Sequence, residues 1–227
     1  MAHTVQQFFD ELKKYVIADM KQSEILASLT AAQGLIESGH GDSKLTVECN
    51  NLFGIKGTYN GQGKQYWTWE YENGKKVRRF CFFRKYPSWQ ESVNDHSGLF
   101  NRTQRYKNLR NCQDYEEACI NVKKDGYATA PDYTQTLLSK IKKNKLWMWD
   151  FEVLKDYDFS KLRTIKLGSD GGGVYLLQTL LNQHGYSIAT DGNFGPQTEN
   201  AVRNFQAKAG LKIDGICGQN TWKSIKK

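Results

Sequence analysis

The 227-residue sequence predicts a mainly α protein in two units: a larger helical unit carrying one small β-hairpin, and a smaller unit of three helices. Three observations predict it. Apolar residues recur at helical spacing through the first two segments, an Asn-Gly pair separates two aromatic runs, and a turn motif is repeated near the C-terminus.

Residues 4 to 20 place Val5, Phe8, Phe9, Leu12 and Val16 on one side of a first helix. A second helix is expected from Ser23, its N-cap, with Ile25, Leu29, Ala32 and Ile36 at helical spacing and Gly39 as C-cap. Glu37 then falls in the last turn. There the partial negative charge of the helix end and the neighbouring apolar groups both disfavour an ionised carboxylate and raise its pKa. A carboxylic acid that keeps its proton near neutral pH can protonate a leaving oxygen. By position alone the plainer reading, a solvated Glu at a helix end, outweighs that one.

Tyr66-Trp67-Thr68-Trp69-Glu70-Tyr71 and Val77-Arg78-Arg79-Phe80-Cys81-Phe82-Phe83-Arg84 flank Asn73-Gly74, a strong hairpin signal. Alternation puts Thr68, Glu70 and Glu72 on one face and Trp67, Trp69 and Tyr71 on the other. Ser88, with Glu91 three residues on, opens a further helix as a capping box.

In the tail, Asp191-Gly192-Asn193-Phe194-Gly195-Pro196-Gln197-Thr198 recurs 23 residues later as Asp214-Gly215-Ile216-Cys217-Gly218-Gln219-Asn220-Thr221, both reading D-G-x-x-G-x-x-T. Asp-Gly suits a tight turn, and Val202 with Phe205, like Val174, Leu177, Leu180 and Leu181, gives a helical stripe. The repeated Asp, Gly and Thr are expected to shape turns and caps rather than to touch ligand. The units are placed at 1–156 and 164–227, joined by a short polar link near Tyr157 to Lys166.

Bulk properties narrow the class. Net charge is +8 with 39% hydrophobic and 13% aromatic residues, which fits a globular chain with an attraction for polyanions. No Lys/Arg-rich helix or zinc-finger spacing selects nucleic acid. No apolar run approaches the roughly 20 residues of a membrane span, so no membrane insertion is expected. The five cysteines and four scattered histidines show no metal-ligand spacing, so no metal or cofactor is expected and a peptidase or amidase is disfavoured. The cysteines are read as reduced, mostly buried thiols. No secretory segment is visible at the N-terminus, so the chain is expected to be made in the cytoplasm, as a monomer, and to act after release.

Gly168 to Trp222 resembles the three-helix peptidoglycan-binding domain, whose pattern is carried here by Val174 to Gln178, Asp191 to Gln206 and Gly210 to Trp222. The Gly171-Gly172-Gly173 run departs from it and is expected only to loosen that turn. The larger unit is similar to glycoside hydrolase family 73, the bacterial endo-β-N-acetylglucosaminidases. The blocks that carry the likeness are Gly34 to Gly41, Asn50 to Lys56, Thr68 to Gly74, Phe83 to Ser88 and Gly126 to Tyr133, over about residues 5 to 145.

That resemblance implies a lysozyme-like helical domain with a small β-lobe, followed by a small three-helix wall-binding domain. It implies cleavage of the β-1,4 bond after N-acetylglucosamine in bacterial peptidoglycan. Glu37 matches the general acid, in a cleft roofed by the hairpin, and Glu70 the second carboxylate, proposed to activate water. Tyr127 and Tyr133 match aromatics near the acid, and either position the sugar or are plain core tyrosines. Asn51, Phe53, Trp69 and Tyr71 complete the expected substrate contacts. His40 and Ala130 stand where the family often has Trp and Asp, which is expected to alter the groove's rim. A phage endolysin, with a cellular autolysin as alternative, fits this layout, as do muramidase or lytic transglycosylase activities on the same fold.

Overall fold

A computed structural model of the chain describes residues 4–72, 75–156, 159 and 162–226, with the side chains of Glu70, Tyr71 and Glu72 outside the description. The expected class holds: ten α-helices and one two-stranded antiparallel sheet among the described residues.

Helix α1 (Val5–Ser23) opens on a capping box in which Thr4 and Gln7 satisfy each other's backbone N–H groups. Its buried stripe includes Phe8, Phe9, Leu12 and Val16. The second helix does not begin at Ser23. Glu24 adopts a left-handed conformation (φ 61°) that ends α1, and Ser23 turns its hydroxyl onto Asp19 and the Ile25 N–H. Helix α2 (Ala27–Glu37) follows, and every residue from Ala27 to Leu35 is buried. A helix buried on every side lies at the centre of a domain. It lies against α1, α5 (Tyr115–Lys124), α6 (Tyr133–Lys143) and α7 (Trp147–Leu154).

Leu26 cannot cap α2 with its own side chain. Instead Asp150 reaches in from α7 and accepts the Ser28 N–H at 2.9 Å. A carboxyl there satisfies an orphan donor and faces the positive end of the helix dipole. Burial nevertheless pushes its pKa up from 3.8 to about 7.

After α3 (Lys44–Cys49), β1 (Gly63–Glu72) pairs with β2 (Lys75–Arg84), Trp67 opposite Phe80 and Glu70 opposite Val77. Glu72 faces Lys75; the connecting Asn73 and Gly74 lie outside the described residues. The base of the hairpin is pinned. Arg84 and Tyr86 converge on Asp95 of α4 (Trp89–Arg102), the tyrosine at 2.7 Å, and Arg102 holds the other carboxylate oxygen at 2.9 Å.

The tail folds into α8 (Gly172–Gln183), α9 (Pro196–Lys208) and α10 (Gln219–Ile225). The repeated motif wraps, in each copy, around one buried glutamine. Gln178 donates to Asp191, Asn193 and Thr198 and accepts the Gly192 N–H; Gln206 does the same with Asp214, Ile216, Thr221 and the Gly215 N–H. A buried amide with all its partners fixes both turns.

The glycine run does not loosen its turn; it lets two helices touch. A Cβ on Gly172 would lie 2.8 Å from the Phe151 nitrogen and 3.0 Å from the Trp147 oxygen of α7, so only glycine allows this approach. Tyr175 packs on Trp147 and Phe151, and Tyr115 donates to Asp170 at 2.8 Å, so α8 is seated on the larger unit.

Candidate active site

Helix α2 ends at Glu37, and the chain turns through Ser38, Gly39 and His40, the last two left-handed, with the His40 N–H returning to the Leu35 oxygen at 3.2 Å. Gly41 is also left-handed (φ 86°), and a Cβ there would crowd Trp89 and Phe8 at 3.1–3.2 Å. The turn is thereby pressed onto α4, and Glu37 is left at the rim of a central buried helix.

Its carboxyl group opens into a cleft of about 700 Å3 whose lining includes Phe53, Lys56, Arg105, Tyr127, Ala130 and Tyr133. The side chain is accessible from the cleft, yet the concave apolar wall strips much of its water. That desolvation raises its pKa above the usual 4.5, while the hydrogen bond from Tyr133 pulls the other way. The Tyr133 hydroxyl donates to Glu37 Oε1 at 3.1 Å and accepts from Gln33 Nε2, one turn back on α2, at 3.1 Å. The acid is thus oriented from its own helix and from the start of α6.

The other expected residues separate into three groups. Phe53, Tyr127 and Tyr133 line the cleft with Glu37. The two tyrosine rings stack at 6.0 Å. Asn51 is a correction: it is 1% exposed, and its amide holds the Ile55 and Arg84 oxygens and the Ile55 N–H. With its amide so occupied it is not a sugar contact; it ties the Phe53–Lys56 wall to the hairpin base. Trp69 is exposed opposite Arg78 and does not line the cleft. Glu70 and Tyr71 occupy known strand positions, but their side chains fall outside the described residues. No described side chain of β1 or β2 lines the cleft; the hairpin tip, where the expected roof falls, lies outside the described residues.

Sequence reasoning passed over His96. It is fully buried on α4, stacked on Phe53 at 3.8 Å and edge-on to Phe100 and Tyr127. Burial depresses its pKa from 6.5 to about 3, so it is a neutral ring supporting the floor of the cleft. Its spacing with Ser92, Val93, Ser97 and Phe100 on one helix face was the available signal. Arg105, a cation at the cleft wall, carried none. Among the described residues no His, Cys, Asp or Glu cluster is arranged to hold a metal.

The chemistry available is therefore proton donation by a partly desolvated carboxyl into an aromatic-walled groove. Comparison with known proteins gives the family. The glucosaminidase profile, described as mannosyl-glycoprotein endo-beta-N-acetylglucosaminidase, matches residues 13–146, and that of a putative peptidoglycan binding domain matches residues 170–225. The exo-glucosaminidase LytG of Bacillus subtilis is 36% identical over 150 residues, 64% of this chain and 53% of that protein. An autolysin of Enterococcus faecalis is 35% identical over 153 residues, 63% of this chain and 21% of that one. The chain thus spans about half of the first relative and about a fifth of the second. The catalytic domain of the autolysin Auto from Listeria monocytogenes superposes with a TM-score of 0.60 at 30% identity, over 66% of this chain and 90% of that domain. A C-terminally truncated glycoside hydrolase domain of Salmonella typhimurium FlgJ gives 0.53 at 29% identity, over 63% of this chain and 98% of that one. With its profile matched over more than half of the sequence, this chain belongs to the glucosaminidase family.

Proposed function

We propose that the protein hydrolyses the β-1,4 bond between N-acetylglucosamine and N-acetylmuramic acid in bacterial peptidoglycan, with Glu37 as general acid. The observation that carries this reading is the Glu37 carboxyl, held by Tyr133 in an aromatic cleft that raises its pKa. A protonated carboxyl at that point delivers its proton to the departing glycosidic oxygen. Phe53, Tyr127 and Tyr133 supply flat faces for the sugar rings.

Glu70 is assigned the second role. From the hairpin it either activates the water that attacks the anomeric carbon or orients the substrate's own N-acetyl group for that attack. The tail domain binds the wall and keeps the cleft near an insoluble substrate, where tethering raises the effective concentration. The positive net charge adds an attraction for anionic wall polymers that salt weakens. The protein acts as a monomer on the wall after release from the cytoplasm, as a phage endolysin does; a cellular autolysin is the second setting.

The test is the identity of the new reducing ends. Digested wall, reduced with borohydride and analysed by mass spectrometry, should carry N-acetylglucosaminitol. Reduced N-acetylmuramic acid would mean a muramidase, the activity named for a Lactococcus lactis relative that is 34% identical over 132 residues. An anhydro sugar would mean a lytic transglycosylase.

A further inference from the structure

One face of the hairpin is out of keeping with a small domain's surface. Trp67, Trp69, Phe80 and Phe82 are 58%, 59%, 51% and 48% exposed, although each has an apolar ring that burial would stabilise. The register gathers them: Trp67 lies opposite Phe80 with ring centres 5.1 Å apart, Gln65 opposite Phe82, and Trp69 opposite Arg78. Two cations are layered on the rings, Arg78 at 4.8 Å from the Trp67 centre and Lys76 at 5.1 Å from that of Trp69. No carboxylate stands among the described side chains of this face.

The fold does not need this face. Its base is held by Asn51 and by the Arg84–Asp95–Tyr86 cluster, and the cleft lining does not include it. A two-stranded hairpin is marginal in water, so four open aromatics are a cost to the free protein that a partner removes. Aromatic faces accept the apolar faces of sugar rings, and cations already seated on those rings meet carboxylates at little further ordering cost. The chemistry that matches both at once is a glycan strand bearing peptide carboxylates.

We infer that the Trp67–Trp69–Phe80–Phe82 face, with Lys76 and Arg78, is a second binding surface for peptide-substituted glycan outside the cleft. It rests on the substrate class proposed above and adds a separate site on that polymer. It holds a stretch of strand that the cleft does not contact, with the sugars on the rings and the stem-peptide carboxylates on the two cations.

The experiment uses the full-length Glu37→Gln protein, which binds without cutting, titrated by co-sedimentation against intact sacculi, sacculi stripped of peptides, and phosphatidylglycerol vesicles. Trp67→Ala with Phe80→Ala should weaken binding to intact sacculi about tenfold, the scale of losing exposed anchor rings. Arg78→Glu should weaken binding to intact sacculi several-fold and leave stripped sacculi unaffected. Superimposable thermal melts establish that the variants fold; should the paired variant fail that check, Trp67→Ser alone replaces it. Unchanged sacculus binding in the paired variant overturns the inference, as does vesicle binding that the pair abolishes while sacculus binding persists. Reducing ends released by the Glu37-intact chain report separately on the substrate reading, so the two failures are distinguishable.

Discussion

The Tyr133 hydroxyl donates a 3.1 Å hydrogen bond to Glu37 Oε1 and so works against the desolvation that raises the pKa of this acid. Removing the donor leaves desolvation unopposed. Tyr133→Phe should therefore raise the Glu37 pKa further and keep the acid protonated to higher pH. The alkaline limb of the pH–rate profile should move upward, with turnover reduced by lost orientation. A limb moved downward would show that the hydroxyl does not stabilise the carboxylate.

Asp150 joins α7 to the start of the helix that carries Glu37. Its pKa is about 7 in the folded chain against an ordinary 3.8, so the folded state binds the extra proton between those values. Its contribution to stability is therefore greatest at low pH and is lost as pH rises from about 4 towards 7, on the order of 1 kcal/mol per pH unit. Asp150→Asn keeps an acceptor for the Ser28 N–H and cannot ionise. The stability of the wild-type relative to this variant, from urea titrations, should fall with rising pH across that window. A flat difference would refute the assignment.

Gly34 sits inside α2 with ordinary room around it: a Cβ would meet Leu12, Phe53 and Phe8 at 3.5–3.6 Å. Alanine restricts the unfolded chain and suits a helix interior. Gly34→Ala should stabilise the protein by about 0.5–1 kcal/mol with activity retained, read from the denaturation midpoint.

Gly172 is the opposite case. Gly172→Val puts side-chain atoms where α7 backbone already lies, 2.8 Å from the Phe151 nitrogen. The tail domain should lose its seat on α7 at a cost of about 1–3 kcal/mol, as overpacking does elsewhere. Limited proteolysis should then separate the tail domain from the larger one faster than it does in the wild-type. Equal resistance would mean that α8 is held by other contacts.

Periodicity made α1, α2 and the hairpin legible, because buried stripes and an Asn-Gly pair are local signals. The start of α2 was not, since Ser23 satisfies the rules of a cap while the carboxyl that accepts the Ser28 N–H, Asp150, lies 122 residues beyond Ser28. The same limit hid the packing role of Gly172 and the inward turn of Asn51: both depend on backbone brought close only by the fold. Glu37, Tyr127, Tyr133 and Phe53 came together as the motif blocks implied, whereas Trp69 stands apart on a hairpin face whose aromatic cluster needs the strand register to be seen. Gln178 and Gln206 explain the repeat, each standing on a helix to which one of the matching turns returns.

The most direct test is the rate at which Glu37→Gln protein releases reducing ends from purified sacculi, measured beside its sedimentation with them. The variant should bind the wall like the wild-type and release sugar ends at least 1,000-fold more slowly, on the order expected for loss of general acid catalysis with charge stabilisation. Release at the wild-type rate would show that the proton comes from another group and that the cleft around Glu37 is not where the bond is broken.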